Sequence, residues 1–240
     1  LEVRRVLFRS DAEMEAHLAS LPNGGQSQLG SKWAAGDIMY KDLNGDGKIS
    51  SGDGTLNDLG DLKVVANTQL RFKYGLTLDA SWKGFDFSAF FQGVGKRDVV
   101  VGGPYFWGAN GQGMWQAAAF KDHMDYFRPE DTESVFGPNV DAYYPRVIFG
   151  GGSSEGGKNT LTQSRYVQNG AYIRLKNLQL GYTLPSTITK KFAVNSLRVY
   201  VSGDNLWTGT KMRVFDPEVL GSTGDAGKAY PLARVWSVGL

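Results

Sequence analysis

The chain has 240 residues, a formal net charge of +2, 21% charged residues and no cysteine. That balance excludes a polybasic nucleic-acid or membrane-surface protein. The missing cysteine excludes a disulfide framework, a thiolate metal centre and a cysteine nucleophile, and no apolar run approaches the length of a transmembrane helix. The 32 glycines, 12% aromatic residues and only 8 prolines describe strands and loops.

Residues 1–10 match the remainder of the chain poorly and read as a non-native leader without fold weight. Residues 10–18 are the one credible helix, because Ser10 and Glu13 have the spacing of a capping box, which satisfies free amides at a helix start. A polar loop over 21–30 and a short extended segment over 36–41 lead into residues 42–53. There D-x-N-x-D-G repeats an oxygen ligand at every second position, with glycine at the sharp turn, as a calcium loop requires. The ligand candidates are Asp42, Asn44, Asp46, the Lys48 carbonyl and Asp53, with Ser50 acting through a water. The alternative is a tight loop that spends the same side chains on its own amides. No helix precedes the motif, so it is not a full EF-hand. Residues 11–69 thus form a loop region carrying this motif.

From Leu70 to Trp82 apolar residues occupy alternate positions (Leu70, Phe72, Tyr74, Leu76, Leu78, Ala80, Trp82), while Arg71, Lys73, Thr77 and Asp79 fall between them. This is the pattern of a strand with one apolar and one polar face. Lys83 and Gly84 make a turn, and a second run succeeds it with Phe85, Phe87, Ala89 and Phe91 in phase. Globular strands average about 5–6 residues, whereas a strand crossing a bilayer in a barrel needs about 9–11. The hairpin therefore reads as barrel wall, with Leu70, Phe72, Leu76, Leu78 and Phe87 toward lipid and Arg71, Lys73 and Asp79 toward the lumen. The alternative is a large soluble sandwich.

Residues 99–165 form a long region of low regularity. Residues 166–184 hold a strand whose apolar phase changes between Leu175 and Leu178, which indicates a β-bulge. A short connection over 185–195, a strand over 196–207, a loop over 208–229 and a last strand over 230–240 complete the chain. Connections alternate short, long, short, long, as in an up-and-down barrel with short periplasmic turns and long external loops. That order places the C-terminus in the periplasm and the Asp42 loop outside. Five strands cannot close such a barrel, and an open sheet in lipid leaves two unpaired edges. The predicted fold is all-β: antiparallel strands over 70–240 forming the C-terminal part of a large transmembrane β-barrel, with one short N-terminal helix. Tyr105, Trp107, Trp115, Tyr143 and Tyr144 lie in the long external segment, where they suit contact with substrate or a protein partner. Trp107 and Trp115 equally suit internal packing. His17 and His123 stand alone, and no nucleophile elbow or phosphate loop is present, so nothing supports an enzyme.

Six blocks carry a resemblance. They are GDIMYK before the Asp42 loop, KGFDFSAFFQG at 83–93, AYIRLKNLQLGYTLP at 171–185, VYVSGDNLW at 199–207, DPE at 216–218 and YPLAR at 230–234. In this order they resemble the C-terminal region of SusC/RagA-type TonB-linked outer-membrane transporters, across about residues 10–240. The resemblance implies a 22-stranded barrel with an N-terminal plug, in the cell outer membrane. It implies energised import of glycan or peptide fragments, a SusD-like surface lipoprotein as lid, and the TonB complex acting through an N-terminal part. The sequence shows no plug, TonB-interacting segment or signal peptide, and the family usually ends a few residues later on an aromatic residue, so a fragment is expected. Partners would then be the lipoprotein, the TonB complex, an oligosaccharide or peptide and outer-membrane lipid, with no nucleic acid. Calcium is the cofactor expected, with no organic cofactor. The competing readings are a soluble calcium-dependent carbohydrate-binding β-module and a dockerin-like module, whose second calcium loop is not found.

Overall fold

The computed structural model of the chain describes residues 1, 7–110, 119–148, 154–220 and 230–240. It forms two compact units. One contains Leu1–Asn67 and Val99–Val167, and the other contains Thr68–Asp98, Gln168–Ser222 and Ala229–Leu240.

The second unit is built on a five-stranded antiparallel sheet of order β1-β2-β5-β6-β7. Its strands are β1 (Arg71–Trp82), β2 (Phe85–Lys96), β5 (Tyr172–Thr183), β6 (Arg198–Thr210) and β7 (Val235–Gly239). The strands β3 (Asp98–Val100) and β4 (Val167–Asn169) make a small sheet of their own. Four of the five long strands have 12 or 13 residues, beyond ordinary globular length. Lys83 and Gly84 have φ of 46° and 89°, the left-handed pair of a two-residue hairpin turn whose twist matches its strands.

Register carries the alternation seen in β1 across the whole sheet. Ala80 lies opposite Phe87, Phe87 opposite Leu180, Leu180 opposite Val201 and Val201 opposite Val238. One residue along, Asp79, Ser88, Gln179, Ser202 and Ser237 form an equally continuous polar row. Because successive side chains point to opposite faces, these rows mark one apolar and one polar face. The apolar face leaves Leu76, Leu78, Trp82, Leu180, Trp207, Trp236 and Val238 exposed. So contiguous an apolar surface is far from what a soluble monomer presents. The expected bulge is present. Lys176 is the extra residue of β5 against β2, and β6 answers with an irregularity at Asn205, where φ is 54°. The bulge restores the apolar phase, so Leu175 and Leu178 share a face although three residues apart. The connection between β5 and β6 holds a helical turn over Ser186–Thr189 and a 3-10 turn over Lys190–Phe192, which the sequence reading did not anticipate.

The first unit turns the region of low regularity into a packed body. Helix α1 (Asp11–Ala19) begins where expected, with the Ser10 hydroxyl accepting from the Glu13 amide at 3.2 Å. The Glu13 carboxylate accepts instead from the Arg9 amide at 2.8 Å, one residue before the cap. Phe8, Met14 and Met39 form a core with Leu18 and Trp33. Leu7 and Phe8, expected to carry no fold weight, are buried, and the Phe8 backbone pairs with Gly36 and Asp37 at 2.7 and 3.0 Å. Residues 2–6 of that leader lie outside the described residues.

The centre of this unit is charged. The fully buried Asp37 carboxylate accepts from Arg146 at 2.6 Å, from the Asn159 amide at 2.8 Å and from the Ala34 amide at 3.0 Å. Lys158, on the short helix Ser154–Thr160, pairs with it at 3.1 Å and lies 4.4 Å over the Trp33 ring. Lys158 also reaches Glu155 at 3.1 Å. The Ser31 hydroxyl, opposed by desolvation and helped by Lys158 and the Lys32 amide, holds the Glu155 carboxyl at a pKa of about 2. Burial pushes the Tyr40 phenol far above its ordinary range, with Tyr166 and Asp37 adding to the shift, so it stays a neutral donor to the Lys158 carbonyl at 2.5 Å.

Candidate functional site

The polar face of the five-stranded sheet is where the chain concentrates chemistry. Asp86 of β2 and Arg198 of β6 meet at 2.5 and 2.9 Å across the intervening strand. They can do so because β5 presents Gly181 there, and a Cβ would come within 2.4 Å of the Asp86 carboxylate. Asn177 and Asp204 bond at 2.8 Å farther along.

Nearer the long-loop end, residues 216–220 lie as a strap on the sheet. Arg174 donates to Asp216 at 2.6 Å and approaches Glu218 at 3.3 Å. Lys176, the bulge residue, donates to Glu218 at 2.9 Å. The buried Arg97 guanidinium donates to the carbonyls of Leu220 at 2.9 Å and Pro217 at 3.4 Å. Burial pushes the Asp216 carboxyl up, but the Arg174 hydrogen bond and charge and the Glu218 and Leu232 amides outweigh it, so it stays below the usual carboxylate range. Under the strap is a cleft of about 840 Å³, lined by Gln69, Lys73, Tyr74, Phe90, Gln92, Arg97, Tyr172 and Glu218 among others. Amides, cations and aromatic faces together suit a polar, ring-bearing or peptide-like ligand.

The strap gives a test. A folded-state pKa lowered for Asp216 means its stabilisation is complete above the ordinary aspartate range and is lost as pH falls through the folded value. Leu220, the buried last residue of the strap, provides the probe. In the full-length protein, Leu220→Cys is expected to resist an impermeant maleimide at neutral pH and to label after Arg174→Ala. The exchange of Arg174→Asp with Asp216→Arg should restore protection. Equal labelling of all three would show that these charges do not hold the strap.

The calcium-loop residues are together but turned inward. Asp42 accepts from the Gly45 amide at 2.6 Å and the Gly47 amide at 2.9 Å. Asn44 accepts from the Asp46 amide and Asp46 from the Lys48 amide, both at 3.1 Å. Asp53 stands apart, taking the Thr55 amide at 2.8 Å and hydroxyl at 2.7 Å, with the hydroxyl bond first among the causes that lower its pKa. A carboxylate that sequence reasoning missed, the buried Asp61, closes the loop by accepting from the Leu43 and Ser50 amides at 2.6 and 2.7 Å. Among the described residues no group of three or more His, Asp or Glu side chains is arranged to hold a metal. The oxygen donors are right in kind for calcium, but Asp53 is not gathered with the others.

The aromatic candidates divide. Trp107 and Tyr144 are buried with Phe106 and Tyr166, with Trp107 and Tyr166 edge to face at 4.7 Å. They pack the first unit and present no open face. Tyr143 and Tyr105 are half-buried, and Tyr143 lies edge-on to Tyr144 at 4.9 Å. Trp115 lies outside the described residues. The two histidines also pack: His17 is buried against the Phe8 ring, and His123 meets the Phe106 carbonyl at 3.0 Å. The strap residues went unrecognised as a site, although 171–185 and 216–218 were both conspicuous blocks. The available signal was complementary charge, Arg174 and Lys176 in one block and Asp216 and Glu218 in the other.

An antiparallel sheet of long strands, apolar on one face and polar on the other, with short connections at one end and long ones at the other, defines the wall of a large outer-membrane β-barrel. Known proteins agree. No family model matches, but the chain is 31% identical over 199 residues to TonB-dependent receptor P3 of Formosa agariphila and 31% identical over 195 residues to TonB-dependent receptor P26 of the same organism, covering 83% and 80% of this chain. It superposes on the RagAB peptide importer in its open-open state with a TM-score of 0.57 at 25% identity, covering 85% of this chain and 20% of that one. A second RagAB peptide transporter structure gives 0.50 at 28% identity, over 69% and 16%. The chain therefore belongs to the TonB-dependent receptors, of the SusC/RagA type. It spans about one sixth of the curated relatives' length, 17% of each.

Proposed function

We propose that this chain is the C-terminal wall of an importer that takes up glycan or peptide fragments together with a SusD-like lipoprotein, energised by the TonB complex through another part of the receptor. The observation that carries the reading is the sheet itself, apolar outside and polar inside across five strands. The cleft under the strap supports an oligomer of mixed character as cargo, since Gln69, Gln92 and Lys73 line it together with Phe90, Tyr172, Leu70 and Val94. The peptide importer RagAB among the solved neighbours favours peptides. The test is growth of a receptor-deletion strain on defined peptides or oligosaccharides as sole nutrient, with purification of the tagged receptor from outer membranes. Loss of growth on one nutrient class and a co-purifying lipoprotein are expected. Unchanged growth on every class, with no lipoprotein recovered, contradicts the reading.

We also propose that Asp42, Asn44, Asp46 and the Lys48 carbonyl take calcium weakly, with Asp53 joining only if it leaves Thr55. Extracellular sites of this kind bind at roughly 10⁻⁴–10⁻³ M. Calorimetry at millimolar calcium on the full-length receptor is expected to show binding heat that Asp42→Ala with Asp46→Ala removes. No heat from the parent protein would mean that the side chains serve the loop's own amides.

A further inference from the structure

Residues 216–220 meet the sheet as a bound peptide meets its site. Arg174 and Lys176 of β5 take the two carboxylates, Asp216 and Glu218, which stand two residues apart. Arg97, just past β2, takes main-chain oxygens instead, the carbonyls of Pro217 and Leu220. Side chains and backbone of a short acidic segment are thus both recognised. Among the described residues, no backbone–backbone hydrogen bond joins 216–220 to a strand. The polar contacts that hold the segment are therefore ones a separate peptide can reproduce. The hold is also incomplete. Arg174 is 2% exposed, yet its Nε donates no hydrogen bond, and the Glu218 Oε2 facing it at 3.3 Å accepts none. A buried donor left unmade is costly. Arg174 spends one hydrogen bond on Asp216 where a carboxylate set squarely against the guanidinium takes two.

We propose that the strap is an internal stand-in for an acidic peptide, and that a cargo segment with carboxylates two residues apart displaces it from Arg174, Lys176 and Arg97; this rests on peptide import as proposed above. A ligand shifts such an equilibrium only through a contact the strap does not make. The bidentate bond to Arg174, open to a carboxylate free of the strap's own chain, is that contact. The strap also sets specificity. A neutral peptide that displaced it would leave the buried Arg174 and its neighbour Lys176 without carboxylates, a heavy cost for an uncompensated charge. Arg97 separates peptides from acidic sugars, because it takes amide carbonyls along a chain and no carboxylate of the strap. Beyond Arg97 and Glu218 the cleft continues past Gln92, Gln69 and Lys73, which gives the remainder of a longer peptide a polar wall.

The experiment uses the full-length receptor in detergent and three fluorescent probes. They are the peptide FDPEVL, which copies residues 215–220, its neutral counterpart FNPQVL, and an oligogalacturonate. Asp216→Asn with Glu218→Gln loosens the strap and is expected to bind FDPEVL about 10-fold or more tighter than the parent, because the open fraction rises. Adding Arg174→Ala to that variant should weaken binding about 30-fold or more. FNPQVL should bind neither form. In a receptor carrying Leu220→Cys, saturating FDPEVL should open that residue to the impermeant maleimide. A strap of purely structural role gives the opposite result, with affinity unchanged or lost in the loosened variant and no gain in labelling, and overturns the stand-in. Equal binding of FDPEVL and FNPQVL also overturns it. Binding of oligogalacturonate that depends on Arg174, without binding of FDPEVL, overturns the peptide assignment. No probe binding by a receptor that still supports growth on peptides overturns the stand-in alone, whereas a receptor that supports no growth on peptides overturns the reading beneath it.

Discussion

Leu76→Arg is expected to destabilise the assembled barrel by about 2–4 kcal/mol, the cost of an arginine on the lipid face near mid-bilayer, whereas Thr77→Arg should be nearly neutral. Leu76 lies opposite Phe91 on the apolar face and Thr77 opposite Phe90 on the polar face, one residue apart in the same strand. Position along the strand and the residue introduced are therefore matched, and the face differs. The measurement is the fraction of heat-modifiable, folded receptor in the outer membrane for each variant. Near-equal fractions would contradict the assignment of faces.

Asp37→Ala is expected to cost about 3–5 kcal/mol, the scale for removing one member of a buried charge cluster. The loss would leave Lys158, whose side chain is fully buried, with Glu155 as its remaining carboxylate partner, and deprive Arg146 and Asn159 of their shared acceptor. The exposed Arg9–Asp141 pair, at 2.5 Å with side chains 57% and 72% accessible, is the internal control. Asp141→Ala should change stability by about 0–1 kcal/mol, as exposed pairs do. Limited proteolysis of the full-length receptor checks both, since cleavage within residues 7–67 should accelerate for Asp37→Ala alone. Equal protection would mean that the hydrophobic core of Phe8, Met14 and Met39 suffices without the charge cluster.

What was legible in the sequence has a physical common factor: it is local. The two-residue period of β1, the left-handed turn at Lys83 and Gly84, and the bulge announced by the phase change near Lys176 all depend on neighbours along one strand. The Ser10 cap is equally local. The compactness of the first unit was not legible, because Asp37 meets Arg146 and Lys158 across more than 100 residues and no periodicity records that. The strap fails for the same reason, with Arg174 and Asp216 separated by 42 positions. In the calcium loop the spacing was visible, but it could not show that Thr55, two residues beyond Asp53, competes for its carboxylate. Nor could aromatic composition distinguish Trp107 and Tyr144, which fill a core, from rings that meet a partner.

The central claim is that the sheet separates lipid from a polar lumen, and strand β1 tests it most directly. The chain contains no cysteine, so within it single cysteines at residues 74–80 of the full-length receptor each carry one nitroxide label. In bilayers, collision with oxygen is expected to be high at positions 74, 76, 78 and 80 and low at 75, 77 and 79. A water-soluble nickel chelate should show the reverse alternation. Uniform access of the nickel chelate to all seven positions, or oxygen exposure in the opposite phase, would contradict the barrel-wall account.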